Sequence, residues 1–473
     1  MKKLLLGTAA LTLLSTTAHA GPALDALTRL LPAGVAVTFT AERAEGTLEV
    51  YEGLTLIAGN ATTRIGTARL SLDQGVFGLI ADQVRVTDPD GGVTEADRLT
   101  VSAPLPLLEL DRALIGAEPG PDLCGAAVAP LAVSADGVRG PDAGRVGTVR
   151  LDATLDDASG VCVLDLTQGM TDLELSRPDG TGLRIARQGL RLRAPTEPGL
   201  PETATGETYL AELTITGAEL LLDGAVQATV TEITGRSHLE ADSALPLVAA
   251  GYNRYVVALG GGVATLDAPA EQLPYADLWN AARGLNAGAE IAISGAEVVG
   301  TGLAALIPVP GLLDPGTRLS LLASATKTAE ELRIGLTLDG SNTLLLDLEG
   351  ALRVEPADPS FNEVSPRALV MSAPLSLISG SVRVSDRGIG GVAEQIIGMD
   401  PYAALVPSLS GLIGAGNAGL LAAWLEGAQG GAEITISAAP TSPVPVLMLG
   451  MLAMGDWSAL GPMLNATTGT AAP

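Results

Sequence analysis

Lysine is almost missing from this chain. Lys2 and Lys3 lie in the first twenty residues, and Lys327 is the single lysine beyond them. The 53 acidic residues stand against 27 basic ones, for a formal net charge of −26. That balance argues against nucleic acid as a partner and against electrostatic docking on anionic headgroups. Aromatic residues make up 3% of the chain, too few for the stacking platform of a single-strand nucleic-acid binder or for the girdles of an outer-membrane barrel. Histidine is limited to His19 and His238, and cysteine to Cys124 and Cys162. Two thiols and the one histidine beyond the first twenty residues, His238, fall short of a tetrahedral metal set, and no glycine-rich phosphate loop or carboxylate pair announces a cofactor. Long apolar runs are also lacking. The most hydrophobic stretch beyond the N-terminus, Val444 to Met454, is shorter than the ~18–20 residues of a membrane span and reads as core packing, so no transmembrane span is expected once the N-terminal segment is removed.

What the chain does have begins with that segment. Lys2 and Lys3, an apolar run from Leu4 to Leu14, and Ala18-His19-Ala20 before Gly21 follow the plan of a Sec signal peptide, residues 1–20. Cleavage there predicts a periplasmic protein. No Leu-x-x-Cys lipobox accompanies it, because the cysteines lie far downstream. In an exported protein, Cys124 and Cys162 are expected to form one disulfide. With 47% hydrophobic and 17% charged residues, the remaining chain can bury a large core and is not a disordered acidic polymer.

The clearest pattern lies between Ala81 and Leu105. Val84 and Val86 alternate with polar residues, Asp88-Pro89-Asp90-Gly91-Gly92 interrupts, and Leu99 and Val101 resume the alternation. Period-two spacing on both sides of a Pro/Asp/Gly turn specifies a β-hairpin. The phrase returns around Arg177-Pro178-Asp179-Gly180, with Leu173 and Leu175 before it. Leu24, Leu27, Leu30 and Leu31, ahead of Pro32, predict a short helix. GAEIAIS (288–294) and GAEITIS (431–437), each after a helix-patterned segment with a tryptophan, Trp279 and Trp424, mark a helix-then-strand unit used twice. The expected fold is mainly β (α+β): a long curved antiparallel sheet or groove built from repeated hairpins, with short flanking helices. We expect an N-terminal β-rich half at 21–242, a C-terminal half of sheet plus helices at 243–465, and a flexible tail at 466–473.

Three stretches carry hints of chemistry. Ser324-Ala325-Thr326-Lys327 matches the S-x-x-K of penicillin-recognising enzymes, which need a helix start and a second lysine in K-T-G. Here it follows a strand-like segment with no lysine left for the partner motif. His238 has Ser237, Glu240 and Asp242 near it in sequence, but there is no G-x-S-x-G elbow. Asp88 to Gly91 and the trio Asp152, Asp156, Asp157 lack the ligand count and closing carboxylate of a calcium loop.

The hairpin, with Ala96-Asp97 before its second strand, resembles the repeated strand units of AsmA-like and TamB-like envelope proteins. Ser385 to Ile389, a strand end leading into helices, and Pro440, Pro443, Val444 and Pro445 are similar to YdgA-like alphaproteobacterial periplasmic proteins. The resemblance implies an apolar-faced sheet used in envelope maintenance or lipid handling, and it carries no catalytic residue. The expected function is therefore non-enzymatic: a periplasmic envelope protein binding lipid or acyl chains through a β-groove lined by Val84, Val86, Leu99, Val101, Leu173 and Leu175. If helices seal that face, it is core. A structural module pairing with other envelope proteins is the alternative, and a hydrolase using Ser324 or His238 is the third reading.

Overall fold

A computed structural model of the chain describes residues 21–31, 34–105, 130–141, 144–158, 161–177, 179–195, 206–241, 280, 283, 286–303, 314–328, 330–341, 343–357, 374–388, 390, 394, 398, 433–446, 448–449 and 463–471. The signal segment and Cys124 lie outside them. The fold is mainly antiparallel β, laid down as successive hairpins of an open sheet. The chain divides into two compact units, residues 1–194 with 214–224, and 195–213 with 225–473. The boundary expected at 242/243 lies inside the second unit.

The first unit opens with helix α1 (Pro22–Leu30). It continues with β1 (Ala36–Thr38), β2 (Ala41–Glu45), β3 (Leu48–Ala58), β4 (Ala61–Asp73), β5 (Val76–Thr87) and β6 (Val93–Pro104). Then come β7 (Leu131–Arg139), β8 (Arg145–Ala158), β9 (Val161–Ser176), β10 (Gly182–Pro195) and the later part of β11 (Gly206–Leu222). Both β1 and β2 pair with β3, and β3 to β9 pair antiparallel in chain order. The predicted turn between β5 and β6 is present. Gly91 N–H donates to Asp88 O at 3.1 Å, Gly92 N–H to Asp88 Oδ1 at 2.6 Å, and Gly91 takes φ +87°. An Asp that accepts from the backbone and a Gly with positive φ are what such a turn demands.

The core of this unit lies under α1. Ala23, Leu24 and Ala26 pack on Tyr51, Leu54, Ile65, Ala68, Leu70, Phe77, Leu79, Ala81 and Val84. The buried positions do not keep a strict period of two. Tyr51 and Leu54, Ile65 and Ala68, Ala81 and Val84 are each three apart, yet all are buried, and Ala96 and Leu99 pack against the same cluster. Between them lies a row of irregular positions, Gly53, Gly66, Gln83 and Asp97, which the ladder skips without a change of register. Gly53 (φ +62°) and Gln83 (φ +57°) adopt left-handed backbone, which turns the alternation over once. The row runs on through Gly137 (φ +62°) in β7, Gly147 in β8 and Asp172 (φ +51°) in β9, and Gly217 in β11 has φ +64°. A β-carbon on Gly66 would run into the Gln83 side chain and one on Gly137 into Asp97, so the neighbouring side chains lie flat over these glycines. Like β-bulges, such residues bend strands and strengthen their twist.

The second unit contains the start of β11, β12 (Ala225–Ala241), β13 (Asn286–Val298), β14 (Arg318–Thr328), β15 (Glu331–Gly340), β16 (Leu344–Val354) and β17 (Leu375–Asp386). It ends with β18 (Glu433–Ala438), β19 (Val444–Pro445) and β20 (Thr467–Ala471). Strands β12 to β18 pair antiparallel in chain order, β19 also lies on β17, and β20 on β18. Among the described residues the left-handed step recurs at Gly295 (φ +59°) in β13, where the register between β13 and β14 shifts between Ile293 and Ala296. The tail expected to be flexible over 466–473 instead supplies β20. Its β-branched threonines favour extended backbone, and the Thr467–Ala471 backbone finds partners on β18 although it has no apolar pattern. Among the described residues no helix is long and apolar enough to cross a membrane.

Candidate apolar binding face

In the second unit the ladder aligns apolar side chains across strand after strand. Ile291, Ala323, Leu336, Leu348, Val382 and Ile436 are successive cross-strand partners from β13 to β18. A parallel row two residues away joins Ile293, Leu321, Leu338, Leu346, Val384 and Ile434. The two Gly-Ala-Glu-Ile repeats place their isoleucines at the two ends of these rows. Successive side chains of a strand point to opposite sides, so the intervening residues, Ala292 and Leu322 followed by Thr337, Asp347, Arg383 and Thr435, occupy the other face, which turns polar from β15 onward. There Asp347 accepts from Arg383 Nη2 at 2.8 Å and from Thr337 Oγ1 at 3.1 Å, and Arg387 bonds Asp339.

The apolar rows are not sealed. Ile434 is buried, but Ile293, Leu321, Leu336, Leu338, Leu346, Leu348, Val382 and Val384 are half-buried, and Ile291 is 44% exposed. The rows under α1 differ sharply, since Leu54, Ala68 and Leu70 are all at 0%.

The six residues expected to line a groove share one face. Val84 lies opposite Ala96, Leu99 opposite Ala81, and Val101 opposite Leu79, and Val86, Leu99 and Val101 pack with Val84 (6% exposed) against the α1 cluster. Four of the six therefore belong to packed core. Leu173 is half-buried on β9, and Leu175 is 46% exposed. The rows of the second unit escaped the sequence reading, although repeated Leu-x-Leu and Ile-x-Ile in β13 to β18 carried the signal.

No protein-family model, curated protein or solved structure matches the chain. The face is thus read on its own chemistry.

Among the described residues the candidate catalytic side chains do not converge, and Asp242 lies outside those residues. Ser324 and Lys327 both lie on strand β14, where an odd spacing sends them to opposite faces. Lys327 Nζ donates to Arg283 O at 2.6 Å, and burial, then the nearby Arg283 charge, holds its pKa below the ordinary lysine value. The His238 ring lies across Gly288 of β13, where a β-carbon would strike it.

The polar side of the first unit is knit by acid–arginine pairs. Asp82 accepts from Arg98 Nε at 2.8 Å and Arg69 Nη1 at 2.7 Å, and these bonds, Arg98 first, hold its carboxyl below the usual range. Arg191 forks onto Asp165 at 3.1 and 2.6 Å with the same effect. Bidentate arginine pairs fix geometry as well as charge. Arginine rather than lysine therefore carries almost all the positive charge here.

Proposed function

We propose that this protein is a non-enzymatic, exported envelope protein that holds lipid acyl chains against the apolar face of its second unit. The observation that carries the reading is the pair of aligned apolar rows across β13 to β18, half-buried where a closed core would be fully buried. Acyl chains suit such a surface because apolar burial is worth about 0.8 kcal/mol per methylene and needs no directional partner. The weak aromatic content and acidic charge argue against sugars and nucleic acid, and the signal-like N-terminus supports a periplasmic location. The resemblance of the hairpins to AsmA-like and TamB-like strand units supports the same reading.

The test is native mass spectrometry of the protein purified gently from the periplasm, followed by organic extraction. Phospholipid or fatty acid at a defined stoichiometry supports the proposal. A clean apo mass, with no uptake of a fluorescent fatty acid, refutes it.

A further inference from the structure

The start of α1 has no cap of its own. Gly21 occupies the N-cap position and offers no side-chain bond. The carboxylate of Glu49, from β3, takes over that task. Its Oε1 accepts from Ala23 N–H at 2.9 Å and its Oε2 from Leu24 N–H at 3.0 Å. Tyr51 is fully buried. Its hydroxyl donates to Glu49 Oε2 at 3.1 Å and accepts from Gly21 N–H at 3.5 Å. A β-carbon on residue 21 would overlap the Glu49 carboxylate, so only glycine allows this approach. Gly21 is also the residue that follows Ala18-His19-Ala20, the expected cleavage site.

We propose that the α-ammonium group released at Gly21 by cleavage after Ala20 is a structural element, pairing with Glu49 and Tyr51 to clamp α1 onto the sheet. The inference rests on the export reading for the cleavage but not on lipid binding. Water adds to the Ala20 carbonyl and the Ala20–Gly21 C–N bond breaks. Ala20 departs as a carboxylate, and the Gly21 nitrogen takes a proton to become –NH₃⁺. An amide with one donor and no charge is replaced by a cation with three donors, beside a carboxylate that otherwise accepts from the Ala23 and Leu24 amides and the Tyr51 hydroxyl. Charge-assisted hydrogen bonds are roughly twice as strong as neutral ones. The processed chain therefore holds α1 over Leu54 and Leu70 more firmly than the precursor does.

N-terminal sequencing of the exported protein should give Gly21 as its first residue. Glu49→Gln is then introduced into two full-length mature chains, one beginning at Gly21 and one enzymatically acetylated on the Gly21 nitrogen, which removes the charge without touching the fold. We expect the substitution to lower the thermal midpoint of the free-amine chain by roughly 2–4 °C more than that of the acetylated chain, and acetylation alone to speed amide exchange in α1. Equal losses in both chains overturn the proposal, as does an exported protein that begins at another residue. A lipid-free protein with the predicted N-terminus and a positive coupling would refute the proposed function and leave this clamp standing.

Discussion

Truncating two leucines on comparable strands should separate sealed core from accessible face. Leu54, in β3, is at 0% exposure beneath α1 and is surrounded by Tyr51, Ile65, Ala68 and Val84. Leu54→Ala removes the transfer free energy of the lost methyl and methylene groups and leaves a cavity that the sheet cannot close, so the cost should be about 3–5 kcal/mol. Leu336, in β15, is half-buried. Water can occupy the space left by Leu336→Ala, the cavity contribution vanishes, and the cost should be about 1–1.5 kcal/mol, roughly half of a full leucine burial. The assay is urea unfolding followed by circular dichroism, with hydrogen exchange assigning each loss to its unit. If Leu336→Ala costs as much as Leu54→Ala, the second-unit face is closed core, and the reasoning that makes it a binding surface fails. If both cost about 1 kcal/mol, the account of α1 as a cover is wrong instead.

Further expectations follow from the backbone and the charges. Gly137→Ala should cost at least about 1 kcal/mol, because a β-carbon at φ +62° is strained and meets Asp97; a thermal midpoint unchanged from wild type would contradict it. The carboxyls of Asp82 and Asp165 have pKa values depressed in the folded state. Their contribution is complete above the unfolded value near ~4 and is lost as pH falls through the lower folded values. Asp165→Asn should therefore flatten the fall in thermal midpoint between about pH 5 and about pH 2, whereas an unaltered acid limb would remove Asp165 from the account. Burial above all pushes the Tyr51 hydroxyl well above its ordinary value, so the stability tied to it persists below the unfolded value near ~10 and is lost as pH rises further. Alkaline absorbance titration of wild type and Tyr51→Phe should coincide until the protein unfolds; an extra phenolate in the wild type near ~10 would refute this.

Much of the architecture was legible in the sequence because local chemistry decides it. The Asp/Pro/Gly turn at 88–92 and the alternation of Val84, Val86, Leu99 and Val101 specify the β5–β6 hairpin, and the leucine spacing near residue 27 specifies α1. The left-handed row was hidden from a period-two template, since each strand from β3 to β6 breaks its alternation at Gly53, Gly66, Gln83 or Asp97. Apolar pairs three apart, recurring in neighbouring segments, were the signal that would have shown it. Coverage was not legible, because whether Val84 meets water depends on where α1 docks. The clamp joining Gly21, Glu49 and Tyr51 depends on contacts spanning up to 30 residues of chain, which no local pattern encodes. The β20 strand escaped for a different reason: Thr467 to Ala471 has no apolar alternation to mark it.

The left-handed residues fall on β3, β5, β7, β9, β11 and β13, every second strand. Between β3 and β13, insertion or loss of a single strand would throw the strands that follow out of step with that alternation, while a whole hairpin could be added or removed and leave it intact. Within that stretch the hairpin, rather than the strand or the residue, is therefore the unit of repetition.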